Sequence, residues 1–472
     1  MLALGPFKMT VAFGINSFIL STFIFGSYFI HQKSNQKVSD LFLIFAWVSF
    51  EYLHLNWQLS FPILMHGHHL AIFPQLIQWY EYTGALGGTL WILSINVLLM
   101  WLFQSYHSLG AKHFVQKQKT NFLIFFALLF LPSIWSVWKY QQTPISGEEV
   151  EVVSLHSNLD CRSEKYKMDQ QELLDYYWEH TKKEISPFTH LVLWPESALT
   201  DMGWVEILNE SSMITQIRDS IATYSNADLV TGGIIYELYA KGNPSNKPAT
   251  VAYSSQIDQS FYTYTMALHI PAQAGTLSMR TKKKLVPFEE TIPYPKLLSG
   301  FHNLLGTLGG FLFTSRKRDA RFIQVPNGIK SVPLICYESI YGAFTAEMVR
   351  KRKLNCLLVL LNEGWYNNQI GAHQLLKASI ARAVENRKSV VRSSNRGISA
   401  FIQPNGKVQA QMNTFKADAL RQKITLNTAT TFYMQAGDFI GWLCAAAIPL
   451  FISWTLVFRI KQRRKRYQKA KR

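Results

Sequence analysis

Val332-Pro333-Leu334-Ile335-Cys336-Tyr337-Glu338 sets a thiol and a carboxylate at the end of a short apolar run. A run of this length, bounded by polar and turn residues, predicts a buried strand. Leu191-Val192-Leu193-Trp194-Pro195-Glu196-Ser197 repeats the plan, with a carboxylate just past the apolar residues. Further strands are predicted over Val150–Leu155, Leu229–Ile235, Val251–Ile257, Leu357–Leu361, Ser389–Arg392 and Ile398–Gln403. Amphipathic stretches between them predict helices over about 164–183, 204–224, 341–353 and 373–386. Asn243-Pro244-Ser245 and Pro404-Asn405-Gly406 mark turns. Strand and helix alternation of this kind argues an α/β layer domain. In such sheets the carboxyl ends of the strands converge on the site.

The rest of the 472-residue chain is of another kind. The chain as a whole carries 31 Phe, 13 Trp and 21 Tyr but only 17% charged residues, against about 25% in ordinary soluble chains. That composition excludes a disordered chain, a collagen-like fibre and a small disulfide scaffold. Five stretches approach the ~20 apolar residues a bilayer crossing needs: Met9–Ile30, Leu41–Leu59, Tyr82–Phe103, Asn121–Trp138 and Asp438–Phe458. The second holds Glu51 and His54, which must face protein or a polar cavity.

The formal charge of +18 is divided unevenly. Residues 1–138 hold six Lys and three acids, and residues 438–472 hold nine Lys/Arg and one acid, which leaves +7 for 139–437. The densest cluster, Arg459 to Arg472, directly follows an apolar span and reads as a cytoplasmic anchor rather than a nucleic-acid stripe. Lys33 and Lys37 follow the first span, Lys112, Lys117 and Lys119 the third, and the loop between the second and third has no Lys or Arg. The positive-inside rule then sets 139–437 on the side opposite the tail, the periplasm of a two-membrane bacterium. The expected organisation is N-terminal transmembrane helices over 1–138, a catalytic domain over 139–437, a C-terminal span over 438–458 and a basic cytoplasmic tail over 459–472. His66-Gly67-His68-His69 has no further ligand cluster beside it, so an interfacial or re-entrant segment is expected there and no metal site.

Lys282-Lys283-Lys284-Leu285-Val286-Pro287-Phe288-Glu289-Glu290 supplies a third chemical knot. Taken singly, each signal has a bland reading: Cys336 as a small core residue, Lys282 as part of a solvated charge run, Glu196 as a helix cap. Together, Glu, Lys and Cys can carry out acyl transfer. The thiolate attacks, the carboxylate takes its proton, and the ammonium stabilises the oxyanion.

In chain order, Glu196, Lys282 and Cys336 resemble the catalytic triad of the nitrilase superfamily. With spans before and after, the chain resembles the apolipoprotein N-acyltransferase family from about residue 40 to 458. Supporting stretches are the pattern Pro62, Gly67, Gln78, Gly84, Gly87 and Asn96; Asn362-Glu363-Gly364-Trp365-Tyr366; Arg382-Ala383-Val384-Glu385-Asn386-Arg387; Ser394-Asn395-Arg396-Gly397-Ile398-Ser399; and Gly437-Asp438. The resemblance implies a nitrilase-like αββα sandwich inserted between transmembrane helices, four before and one after. It implies a phospholipid acyl donor, a Cys336 thioester, and a diacylglyceryl-cysteine amine as acceptor, with no cofactor and no nucleic-acid partner. Glu290, Tyr337 and Glu338 are implied as supporting residues, and Trp365 and Tyr166 as lipid-contact residues. Leu297–Thr314 could be read as a sixth span, but its four glycines weaken a helix; read as a mobile bilayer-touching loop or a core-packed one, it is implied by the resemblance to be a lid.

The sequence departs from the family pattern in three places: Glu289 replaces a usual Gly, Asn362-Glu363-Gly364-Trp365-Tyr366 replaces Asn-Asp-Ala-Trp-Phe, and Tyr166 stands where Trp is common. Four spans before the domain, where the family has seven, leave the N-terminus outside. Cys161, Cys356 and Cys444 read as structural, with no disulfide expected beside an essential thiol. The alternatives are a membrane-tethered amidase acting on a small amide, a non-catalytic receptor or scaffold, and a transporter.

Overall fold

A computed structural model describes residues 6–143, 147–239, 251–254, 258–273, 275–294, 323–324, 328–365, 369–412 and 415–470. β1 (Glu149–His156) shows how the apolar runs build layers. Val150 and Val152 enter one core, Val153 and Leu155 the other, and all four are buried. A strand buried on both faces belongs inside a layered stack. β1 runs parallel to β2 (Thr189–Leu193), and β2 parallel to β3 (Asp228–Leu238). β3 pairs antiparallel with β5 (Gln259–Ile270), whose two halves pair with β4 (Val251–Ser254) and β6 (Ser278–Thr281). β14 (Asp418–Thr425) closes the other edge, antiparallel to β1.

The second sheet has the order β13 (Val408–Met412), β12 (Ser399–Ile402), β11 (Ser389–Ser394), β10 (Cys356–Leu361), β9 (Leu334–Ile335). β7 (Ile323–Gln324) and β8 (Lys330–Ser331) form a separate pair. The two large sheets meet where β1 crosses β11: Ser154 Oγ donates to Arg392 O at 2.9 Å and Ser393 Oγ to Leu155 O at 2.7 Å. Helices Gln170–Thr181 and Ser212–Ala222 cover the first sheet, with Leu173, Tyr177, Ile214 and Ile217 in its outer core. Helices Gly342–Arg352 and Gln369–Asn386 cover the second. This is the expected α/β domain, a nitrilase-like αββα sandwich.

Several boundaries differ from the expectation. The helix predicted from about 164 begins at Gln170, because Asp169 and Glu172 form a reciprocal capping box there. The one predicted from about 204 begins at Ser212, because Leu199 and Trp204 instead bridge to Gly233 and Tyr236 on β3. The strand predicted over Val332–Cys336 shortens to Leu334–Ile335. β5, β6, β13 and β14 were not predicted. β5 alternates polar and aromatic residues, and β14 is a charged edge strand with Arg421, Gln422 and Lys423. Leu297–Thr314 and Asn243–Ser245 lie outside the described residues.

Helices Pro6–Lys33, Gln36–Asn56, Tyr80–Lys117 and Lys119–Gln142 precede the sandwich and Phe439–Ala470 follows it. The five expected spans coincide with these helices, except that Leu41–Leu59 runs three residues past Asn56 and Asp438 lies one before Phe439. Four segments of the described residues are long and apolar enough to cross a membrane: Gln36–Asn56, Tyr80–Gly110, Lys119–Gln142 and Phe439–Ile460. Glu51 is buried and accepts hydrogen bonds from His66 N–H at 3.0 Å and Thr89 Oγ1 at 2.5 Å. His54 Nδ1 accepts from Phe61 N–H at 3.0 Å. Both therefore face protein, as a span requires.

Residues 57–79 fold back in short turns against the helix Gln369–Asn386. Gly67 lies so near Ala85 that a Cβ would stand 1.8 Å from its carbonyl oxygen. Gly84 has φ +64° and lies under the Tyr433 ring, which a Cβ would meet at 2.3 Å. Arg387 Nε donates to Glu81 Oε2 at 2.6 Å, Gln78 Nε2 to Asn405 O at 2.8 Å, and Ala85 N–H to Glu385 Oε1 at 2.9 Å. The sandwich is thus bolted to the membrane segment by buried polar groups.

Candidate active site

β9 ends at Ile335, and Cys336 opens a 3-10 turn, Cys336–Ile340, with φ +48°. A non-glycine residue in the left-handed region stores about 1–3 kcal/mol of strain, which the surrounding structure must hold. Asn362, one residue past β10, donates its N–H to the Cys336 sulfur. Burial pushes the Cys336 thiol well above its ordinary pKa; Glu196 and Glu290 add to the rise and Lys282 opposes it. At rest the sulfur is a protonated thiol that needs a base beside it.

Glu196 follows β2, at a backbone pressed against β3: a Cβ on Gly232 would come within 2.6 Å of the Glu196 Cα. Lys282 follows β6, its N–H bonded to Thr265 O at 2.9 Å. Its Nζ donates to Glu196 Oε1 at 2.8 Å and to Glu290 Oε1 at 2.7 Å. Glu290 Oε2 accepts Val286 N–H at 2.8 Å. Burial works against the Lys282 ammonium, but the two carboxylates and Cys336 outweigh it and hold its pKa well above the usual value. Burial raises the pKa of Glu290, with Lys282 opposing and Glu196 adding. The structure thus gathers Glu196, Lys282, Glu290 and Cys336 into one buried cluster: a nucleophile, an ammonium and two carboxylates.

The other expected residues divide. Tyr337 Oη donates to Ser60 O at 2.8 Å, and Tyr341 Oη to Ser60 Oγ at 2.7 Å, which ties the Cys336 turn to the end of the second span. Glu338 is buried and paired with Arg280. Tyr166 is half-buried, with the Lys165 ammonium 5.8 Å from its ring centroid. Burial, then the charges of Cys161, Glu196 and Glu290, push its phenol pKa up. Trp365 closes the turn Glu363–Trp365, and its side chain lies outside the described residues.

Sequence reasoning missed four participants. Lys165 is wholly buried and donates from Nζ to Glu196 O at 3.1 Å, with its pKa lowered to about 8 by burial. Cys161 Sγ donates to Asn362 Oδ1 at 3.1 Å, and Asn395 Nδ2 donates to that same oxygen at 3.0 Å. Cys161, read as merely structural, therefore bonds to the residue whose amide donates to the Cys336 sulfur. All four cysteines are free thiols. The available signal was position: Lys165 precedes Tyr166, and Asn362 opens a motif already singled out.

The family described as carbon-nitrogen hydrolase matches residues 161–433, which hold Glu196, Lys282 and Cys336. The chain belongs to the carbon-nitrogen hydrolase family. Ahead of this hydrolase region, the apolipoprotein N-acyltransferase N-terminal domain matches residues 2–98. An apolipoprotein N-acyltransferase of Chlorobaculum tepidum is 22% identical over 88% of this chain and 77% of the relative. Apolipoprotein N-acyltransferase 1 of Treponema denticola is 25% identical over 97% of this chain and 83% of the relative. Among solved structures, Saccharomyces cerevisiae Nit3, of branch 10 of the nitrilase superfamily, is 17% identical over 60% of this chain and 92% of its own, with a TM-score of 0.38. The family resemblance read from the sequence is borne out.

Proposed function

We propose that this carbon-nitrogen hydrolase family member is an apolipoprotein N-acyltransferase. It moves an acyl chain from a phospholipid, through a Cys336 thioester, to the amine of a diacylglyceryl-cysteine at a lipoprotein N-terminus. Glu196 takes the thiol proton as the sulfur attacks the ester carbonyl. The Lys282 ammonium receives the oxyanion. Collapse breaks the acyl C–O bond and expels a lysophospholipid, whose alkoxide recovers the proton from Glu196. The acceptor amine then attacks the thioester, Glu196 takes the amine proton, and the Cys336 thiol is restored. No metal or cofactor enters the scheme.

The observation that carries this reading is the Lys282 ammonium, bonded at 2.8 and 2.7 Å to two carboxylates within the buried cluster that holds Cys336. A lipid donor, rather than a small amide, is supported by the bond from Tyr337 to Ser60. It anchors the nucleophile's turn to a loop whose Leu64, Ile72 and Phe73 are each more than half exposed. Exposed apolar residues beside a span suit a bilayer surface. The catalytic domain is on the periplasmic side of the inner membrane in this reading, which the charge of the loops and tail supports.

Complementation of a strain depleted of its own N-acyltransferase tests the reading, with mass spectrometry of a lipoprotein N-terminus as the readout. Triacylated product is expected. An inserted wild-type chain that leaves only diacylated product overturns it. A thioester formed from labelled phospholipid and lost in Cys336→Ala counts against the amidase.

A further inference from the structure

Arg280 lies two residues before Lys282, and Glu338 two residues after Cys336. Both are buried, at 2% and 0% relative exposure, deep enough that solvent plays little part in their pairing. The guanidinium grips the carboxylate with both arms: Nη1 donates to Oε2 at 2.5 Å and Nη2 to Oε1 at 2.8 Å. Each carboxylate oxygen accepts a second bond from backbone. Oε2 takes Ile335 N–H at 2.8 Å, from the residue before the nucleophile. Oε1 takes Lys283 N–H at 2.6 Å, from the residue after the lysine. Arg280 Nη1 also donates to Pro333 O at 2.9 Å. These bonds join 280–283 to 333–338, and their donors and acceptors flank Lys282 and Cys336 in sequence.

A buried ion pair adds little net stability over well-packed apolar residues. A bidentate fork instead fixes separation and angle, which a lysine's single ammonium does not. We propose that Arg280 is a positioning residue: clamped to Glu338, it sets the Lys282 segment against the Cys336 turn, so that thiolate and oxyanion form beside an ammonium already in place. This rests on the roles given above to Lys282 and Cys336.

Arg280→Lys keeps the positive charge and loses the fork, while Arg280→Gln keeps donors and loses the charge. The purified full chain in detergent micelles is assayed for thioester formation from labelled phospholipid, for KM, and for Cys336 alkylation by iodoacetamide across pH. The expected result for Arg280→Lys is a melting temperature near wild type, a fall of 10- to 100-fold in thioester formation and an unchanged KM. Its alkylation profile is displaced to higher pH, since a less well-placed ammonium lowers the thiol's pKa less. A wild-type rate per folded molecule and an unmoved alkylation profile in either variant overturns the proposal, whatever the change in melting temperature. If the reading of the site itself is wrong, the wild-type chain forms no thioester at all, which is a different outcome.

Discussion

Lys282 cannot favour one carboxylate without loosening its hold on the other, so Glu196 and Glu290 differ in role by what else they touch. Glu290 is pinned by Val286 N–H as well as by Lys282, which suits it to the part of a fixed counter-charge in the mechanism proposed above, and leaves Glu196 for the part of base. Glu196→Gln removes the base and is expected to slow thioester formation about 10²–10⁴-fold. Glu290→Gln leaves the ammonium paired and is expected to cost about 10–100-fold. Single-turnover acylation on the two variants checks the order; equal losses would contradict the division of labour. His156 offers a test of stability away from the chemistry. It is buried between the sheets, 3.0 Å from Ser399 Oγ, and burial lowers its pKa to about 4, with Asp418 opposing. The unfolded chain takes up this proton near pH 6.5 and the folded one only near 4, so stability is lost as pH falls through that window, by about 3 kcal/mol in full. Melting curves from pH 7 to 4 should fall more steeply for wild type than for His156→Asn.

At the scale of elements, the helix Gln369–Asn386 joins the sandwich to the membrane segment. Arg382 and Glu385 pair within it at 2.6 Å, and Glu385 reaches Ala85 N–H while Arg387, just past its end, reaches Glu81. Arg387→Ala leaves Glu81 with Lys139, 3.5 Å away, as its cation and is expected to lower stability, by less than the ~3–5 kcal/mol of a wholly uncompensated buried charge. Gly84→Ala forces a side chain into the Tyr433 ring at a left-handed backbone and should destabilise the same joint. In each case the readout is a lower melting temperature with faster proteolysis between span and sandwich. Elements were legible where one local pattern decided them. Leu191–Leu193 of β2 and the whole of β10 are continuous apolar runs, so Glu196 and the Asn362 motif could be placed at strand ends from sequence. β5, β14 and the turn before Gln170 were not legible, because tertiary pairing overrides weak local preference there. Arg280 and Lys165 escaped for a related reason: their acceptors lie 58 and 31 residues away, and nothing beside them in the chain announces a partner.

For the whole molecule, the charge bias predicts a topology that chemical labelling can check. Single reactive cysteines at Lys117 and Gln468 should be modified by a membrane-impermeant maleimide only from the cytoplasmic face, and one at exposed Phe188 only from the periplasmic face. Labelling of all three from one face would contradict the orientation proposed above. The bolts between span and sandwich also impose an order of events during synthesis. Glu81 emerges early and its partner Arg387 is 306 residues later. Through that interval a carboxylate waits at the mouth of a finished span with its guanidinium not yet made. A product cut short before Arg387 has Lys139, 3.5 Å away, as the cation beside Glu81 and lacks the guanidinium that joins span to sandwich.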